Sequence, residues 1–181
     1  MELNYSLSEK DFLNFQLYYA SQSDKFLSQR NRDRIRLPGL SLLFGVVLLF
    51  DDRSSVWAYI LIISSFLFFI LYKWWSAWFY KRFYKRQVKE NMKDDLPYLI
   101  KLFLDNDVIE IDSQKGHRRL NVRDIEYISE TAEYFYIIIN QIYIIIPRSQ
   151  ISQIKIFRDQ LEKYKEDSRI PYLEKLDWKW K

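Results

Sequence analysis

Hydrophobic and polar positions follow different rhythms in different parts of this chain. Leu3-Asn4-Tyr5-Ser6-Leu7 alternates with period two and predicts a short strand. Ser8 with Asp11 resembles a capping box, so a helix is expected to start at Glu9. Phe12, Phe15, Tyr19 and Phe26 then fall on one face at helical spacing. Asp24 to Arg36 is charged, and Pro38-Gly39 predicts a bend or break. From Leu37 the rhythm gives way to two apolar runs, 37–50 and 55–75, joined by the polar loop 51–54. Ser55 to Tyr72 is uncharged and, at ~1.5 Å per residue, nearly crosses a ~30 Å hydrocarbon core. The aromatic block Trp74, Trp75, Trp78, Phe79 and Tyr80 follows Lys73 and suits a headgroup layer. Residues 37–80 are therefore expected to form a transmembrane helical hairpin.

The first run is short enough to be a buried core helix or a re-entrant segment instead. Charge favours two full spans. Arg30, Arg32, Arg34 and Arg36 precede the first run, and Lys81, Arg82, Lys85, Arg86 and Lys89 follow the second. Two crossings put every basic cluster in the cytoplasm and Asp51 and Asp52 outside, as the positive-inside rule requires. Both termini are then cytoplasmic in a multi-pass cell-membrane protein. Arg34 and Arg36 on one side, and Lys73, Trp74, Trp75, Trp78, Lys81 and Arg82 on the other helix, are the expected interface anchors, with arginine snorkelling extending the short run. The N-terminal arm, residues 1–36, has too little Lys and Arg on its polar face for a surface-lying helix, so it is expected to pack on the soluble domain.

Residues 81–97 continue as a basic juxtamembrane helix that stops before Pro97. Period two returns in residues 98–165. Strands are predicted at Leu99–Leu104, Val108–Asp112 with Ile109 and Ile111 inward, Leu120–Ile128, Glu133–Ile139 and Ile142–Ile146. Asp105-Asn106-Asp107 is a turn, Gln114–His117 a loop, and Asn140-Gln141 a tight hairpin turn. Pro147 closes the last strand. Ser152 is expected to cap a helix to Lys165, with Ile154, Phe157, Leu161 and Tyr164 on one face and an Ile151–Ile156 staple. A strand meander closed by a helix predicts a pleckstrin-homology-like antiparallel sheet, and Leu3–Leu7 is a candidate extra strand. The tail, 166–181, carries Trp178 and Trp180 among lysines, as a loose end or a return contact to the interface. The fold class is thus an α+β membrane protein.

Composition narrows the chemistry. The 181 residues include no cysteine, which excludes disulfides and thiol catalysis. The start, Met1-Glu2-Leu3-Asn4, has no basic n-region, so no cleaved signal peptide is expected. The net charge of +4 is concentrated beside the apolar runs, where membrane lipid is a better partner than nucleic acid. His117, the only histidine, stands among Lys115, Arg118 and Arg119 with no sequence-local acid to orient it, and reads as a solvated side chain. Asp105-Asn106-Asp107 opens like a calcium loop, but Ile109 and Glu110 stand where an oxygen ligand and a glycine are needed. Three scattered glycines, Gly39, Gly45 and Gly116, make no phosphate loop. No enzyme, metal or cofactor is expected. Lys115, Arg118, Arg119, Arg123 and Arg148 are left as a candidate rim for an anionic lipid headgroup or a protein partner; the alternative is an ordinary solvated face.

Several segments together resemble the YcxB-like family of small bacterial membrane proteins. They are Tyr5-Ser-Leu-Ser-Glu-Lys-Asp11-Phe12-Leu-Asn-Phe15, the hairpin after it, Arg123-Asp124-Ile125-Glu-Tyr-Ile128-Ser-Glu130, and Ile146-Pro147-Arg148. Val122 stands where that family often has Trp. The resemblance implies a pleckstrin-homology-like fold held at the membrane, without a catalytic motif. The function expected is a membrane-anchored binding or regulatory module that contacts a protein or inner-leaflet lipid. The alternative, by fold association, is an immunity protein against a bacteriocin.

Overall fold

The computed structural model describes residues 1–51, 56–92 and 96–181; the predicted loop residues Asp52, Arg53 and Ser54 lie outside them. Among the described residues the chain is a mixed α+β protein with four α-helices and two four-stranded sheets. It divides into two units, Met1–Phe15 with Lys85–Lys179, and Gln16–Tyr84 with Trp180–Lys181.

In the first unit the predicted N-terminal strand forms. β1 (Glu2–Leu7) pairs antiparallel with β2 (Tyr98–Leu104), which lies far from it in sequence, Leu7 opposite Tyr98 and Glu2 opposite Phe103. β2 pairs with β3 (Val108–Ser113), and β3 with β4 (Gly116–Asn121), giving a sheet in order β1-β2-β3-β4. Leu3, Tyr5, Leu7, Ile100, Leu102, Leu104 and Ile109 turn inward, as period two requires. Ile111 is only half-buried.

The predicted Leu120–Ile128 strand is two strands of different sheets. The 3-10 turn Val122–Asp124 separates β4 from β5 (Ile125–Thr131), and Asn121 Oδ1 accepts from the Arg123 N–H at 2.9 Å to start it. β6 (Tyr134–Ile139) and β7 (Ile142–Pro147) meet at Asn140-Gln141, both with positive φ, +46° and +66°, as a two-residue turn between right-twisted strands demands. β8 (Tyr172–Lys175) pairs in parallel with β5, so the second sheet runs β7-β6-β5-β8.

Every residue of β6 is buried because that sheet is covered on both faces. On one face Phe135 packs edge-on against Phe157 of α4 (Ile154–Ser168), ring centroids 5.0 Å apart. On the other, Phe15 of α1 (Glu9–Gln22) lies 5.5 Å from Tyr136 and 4.9 Å from Tyr143. This explains the unbroken apolar run Tyr134–Ile139: a two-sided strand needs no polar alternation. It also shows residues 11–15 of the arm packing on the second sheet. Asp11 anchors the contact, with Oδ2 accepting from the Ser8 N–H at 2.7 Å and Oδ1 from the Tyr134 hydroxyl at 2.8 Å.

Two helix boundaries differ from expectation. α1 ends at Gln22 because Ser23 Oγ caps the next helix, accepting from the Phe26 N–H at 3.4 Å; Phe26 belongs to α2, and Tyr19 is exposed. α4 starts one residue later than a Ser152 cap implies, with Gln153 at the cap position and no side-chain cap bond. Ile156 is exposed, so there is no staple with Ile151, which the core buries instead.

In the second unit α2 (Asp24–Asp51) runs unbroken through Pro38. Its missing N–H costs an intrahelical bond, but the Pro38 carbonyl is used: it accepts from Ser65 Oγ of α3 (Val56–Asn91) at 2.6 Å. Further contacts run in opposite directions along the two helices. Arg30 Nε donates to Ser76 Oγ at 2.9 Å, Ser41 Oγ to the Leu61 carbonyl at 3.2 Å, and Gly45 lies against Ala58 and Ile62. The helices are therefore antiparallel neighbours. A β-carbon on Gly45 would stand 2.8 Å from Ile62 Cγ1 and 3.1 Å from the Ala58 carbonyl oxygen, so glycine sets the closest approach. Among the described residues α3 is the one helix long and apolar enough to span a membrane.

Candidate binding surface

The five cations singled out from the sequence do not form one rim. Four follow one another along a single hairpin. Lys115 is in the two-residue turn before β4, its ammonium 5.7 Å from the Tyr98 ring centre. Gly116, at φ +117°, lets the chain reverse there. Arg118 stands opposite Ile111 and Arg119 opposite Glu110, with Arg119 Nε 3.5 Å from Glu110 Oε1. Both partners of that pair are substantially exposed, so it is worth only a few tenths of a kcal/mol to ~1 kcal/mol. Arg123 follows in the 3-10 turn. His117 is in β4 and not in a loop, because the reversal is complete by Gly116; its cross-strand partner is Asp112, an acid distant enough in sequence to escape a local reading.

Arg148 is separate. It starts the 3-10 turn Arg148–Gln150 after β7 and directs Nη1 to Glu130 Oε1 at 3.5 Å. Glu130, on β5, is 3% exposed. Arg158 of α4 also donates to its Oε1, through Nε at 3.1 Å and through Nη2, and the Tyr172 hydroxyl of β8 donates to Oε2 at 2.7 Å. Burial and then this bond to Glu130 push the Tyr172 hydroxyl well above the ordinary tyrosine range. A buried carboxylate needs such saturation. The cluster ties β5, the turn after β7, α4 and β8 together, and draws Arg148 away from the rim. Glu130 is the site the sequence understates: β5 carries two acids, Glu126 and Glu130, and only the packing makes Glu126 exposed and Glu130 buried.

Two concavities open on this unit. One of about 540 Å³ is lined by Asn4, Ser6, Leu99, Lys101, Asp112 and Gln150. The other, about 700 Å³, is lined by Lys10, Asp11, Glu133, Tyr134, Arg148 and Ile154. In the second, Asp11 is already held by Ser8 and Tyr134, and Arg148 by Glu130. Among the described residues no group of three or more metal-ligating side chains is assembled.

In the helical unit the expected interface residues lie on α2 and α3. Arg34 sits over the Phe69 ring at 4.7 Å and Arg82 over Trp78 at 5.4 Å. Trp75 stacks on Phe79 at 5.2 Å, and Trp74 and Trp78 are exposed. Arg36 is on α2 and Lys73 and Lys81 on α3, all exposed. The tail makes a return contact here: Trp180 Nε1 donates to the Ala77 carbonyl at 2.8 Å, with Arg30 5.5 Å from its ring.

Comparison with curated proteins and with solved structures finds no match. Comparison with protein families finds one, the YcxB-like protein family, over residues 103–161. That segment runs from the end of β2 through β3–β7 into α4, and it contains the basic hairpin and the whole of the Glu130 cluster except Tyr172. Residues 103–161 match the model of the YcxB-like protein family, the family the sequence resembles.

Proposed function

We propose that this chain is a membrane-anchored, non-catalytic binding module. In this reading α2 and α3 both cross the bilayer, both termini are cytoplasmic, and a pleckstrin-homology-like domain meets its partner at the inner leaflet. One observation carries the anchor: the helix pair is inside-out. Over residues 56–70 of α3 the buried positions are Ala58 and Ser65, whereas Trp57, Ile63, Phe66 and Ile70 are 60–72% exposed. A water-soluble helix pair buries its large apolar side chains against each other; small and hydroxyl residues at the contact with bulky ones outside are the pattern of helices solvated by lipid.

Strand order supports the domain reading. Four strands, then three, then a helix is the pleckstrin-homology-like succession, with the helix pair inserted between its first and second strands. Binding without bond-making is favoured because the two buried acids, Asp11 and Glu130, are occupied by structural hydrogen bonds, leaving neither placed to act as a base. Sodium carbonate extraction of membranes from cells expressing the full chain tests the anchor. The chain is expected to stay in the pellet and dissolve only with detergent; release by carbonate alone defeats the proposal.

A further inference from the structure

Among the described residues the two sheets have four edge strands, β1 and β4, β7 and β8. Gln150 occupies the β1 edge at Ser6, its Oε1 accepting from the Ser6 N–H at 3.0 Å and its Nε2 donating to the Ser6 carbonyl at 2.8 Å. That carboxamide makes the bonds a neighbouring strand would make. β7 lies beside β1, and the other edge of the second sheet is β8, a strand of only four residues. The β4 edge is different: all its residues are exposed except half-buried Leu120.

Its hydrogen-bonding direction can be assigned. The Val122 N–H donates to the Asp107 carbonyl at 2.9 Å, and the register places Asn121 opposite Val108 without a shift. Alternate pairs in an antiparallel ladder exchange bonds. Leu120, Arg118 and Gly116 therefore face β3 with their backbone groups, whereas Arg119 and His117 direct N–H and C=O outward, joined by the Asn121 N–H; the Asn121 carbonyl belongs to the 3-10 turn it caps. No acid occurs from Gln114 to Arg123, while Lys115, Arg118, Arg119 and Arg123 do.

We infer that the β4 edge accepts an extended acidic segment of a partner protein as a fifth strand, antiparallel to β4. This rests on the binding-module reading and names the partner's chemistry. The outward backbone groups of Arg119 and His117, with the Asn121 N–H, supply affinity, and the cations supply selection. Charges on an edge strand guard against indiscriminate pairing, but a guard of one sign is selective. A second copy of β4 would set arginine against arginine, whereas an acidic strand is attracted. An anionic lipid headgroup would meet the same cations but leave the outward ladder unused.

The test uses the full chain in detergent micelles and a fluorescent peptide of alternating Glu and Val, read by anisotropy. Saturable micromolar binding is expected. It should weaken by roughly tenfold or more when alternate peptide nitrogens are methylated, and again in Arg118→Glu/Arg119→Glu. His117→Pro removes an outward N–H without touching the β3 ladder and should weaken it similarly; the methylated peptide reports the same bond on the unaltered chain. Equal affinity for methylated and unmethylated peptides overturns the inference, because charge alone then explains binding. So does absence of saturable peptide binding, including where phosphatidylserine vesicles bind through Arg118 and Arg119. Carbonate extraction is independent of both results, so failure here leaves the anchor standing and failure there does not decide the edge.

Discussion

Single residues carry more of this structure than their sequence neighbourhoods suggest, and buried tyrosines are the clearest case. Burial holds the hydroxyls of Tyr5, Tyr134, Tyr164 and Tyr172 protonated above their ordinary value of 10.0, and pushes Tyr164 up to about 12. Tyr164 donates to the Asp105 carbonyl, joining α4 to the β2–β3 turn. The sign follows from proton linkage. Below about pH 10 both folded and unfolded chains keep these protons, and the full stability is present. Above it the unfolded chain releases them first, so stability falls by ~1.4 kcal/mol per pH unit for each tyrosine until its folded value is reached. The first unit should therefore unfold cooperatively between about pH 10 and 12, with circular dichroism loss and tyrosinate absorbance rising together. Tyrosinate absorbance rising near pH 10 with unchanged circular dichroism would show that these hydroxyls are not buried. Glu130 teaches the same lesson about legibility. Its own strand also carries the exposed Glu126, and its partners Arg148, Arg158 and Tyr172 become neighbours only when three other elements pack.

Elements whose signals are local were readable; those stabilised from a distance were not. Ser8 with Asp11 fixed the start of α1, and Asn140-Gln141 the β6–β7 turn. β8 escaped because Tyr172-Leu173-Glu174-Lys175 has no internal alternation and exists through parallel pairing with β5. Likewise, Pro38 reads locally as a break, yet α2 runs through it, with the Ser65 hydroxyl of α3 bonded to the Pro38 carbonyl. His117 was misplaced in a loop because only the cross-strand register brings it opposite Asp112. The β6–β7 turn supplies a test of local strain. Gln141 has φ +66°, a left-handed conformation that costs a side chain-bearing residue ~1–2 kcal/mol, against ~0.5–1 kcal/mol of entropy lost by glycine. Gln141→Gly should raise stability by roughly 0.5–1 kcal/mol in urea unfolding, with an unchanged m-value. A loss of stability would contradict the assigned turn.

At the scale of the whole molecule, one chain has two kinds of interior. Residues 1–15 and 85–179 bury Phe135, Phe157 and Ile137 completely, each removal from water worth ~1.5–3 kcal/mol. The apolar stretches of α2 and α3 reverse the rule, burying Gly45, Ala58 and Ser65 while exposing Trp57 and Phe66. The apolar length of the second run announced this in the sequence; the role of Gly45 did not, since a glycine within an apolar run says nothing about its partner. The central claim is that α2 and α3 form a two-crossing anchor with both ends on one side. Because the chain has no cysteine, single cysteines report sidedness without background. Asp51→Cys should react with a membrane-impermeant maleimide in intact cells, while Lys165→Cys should react only after lysis. Labelling of both from the same side would contradict the account.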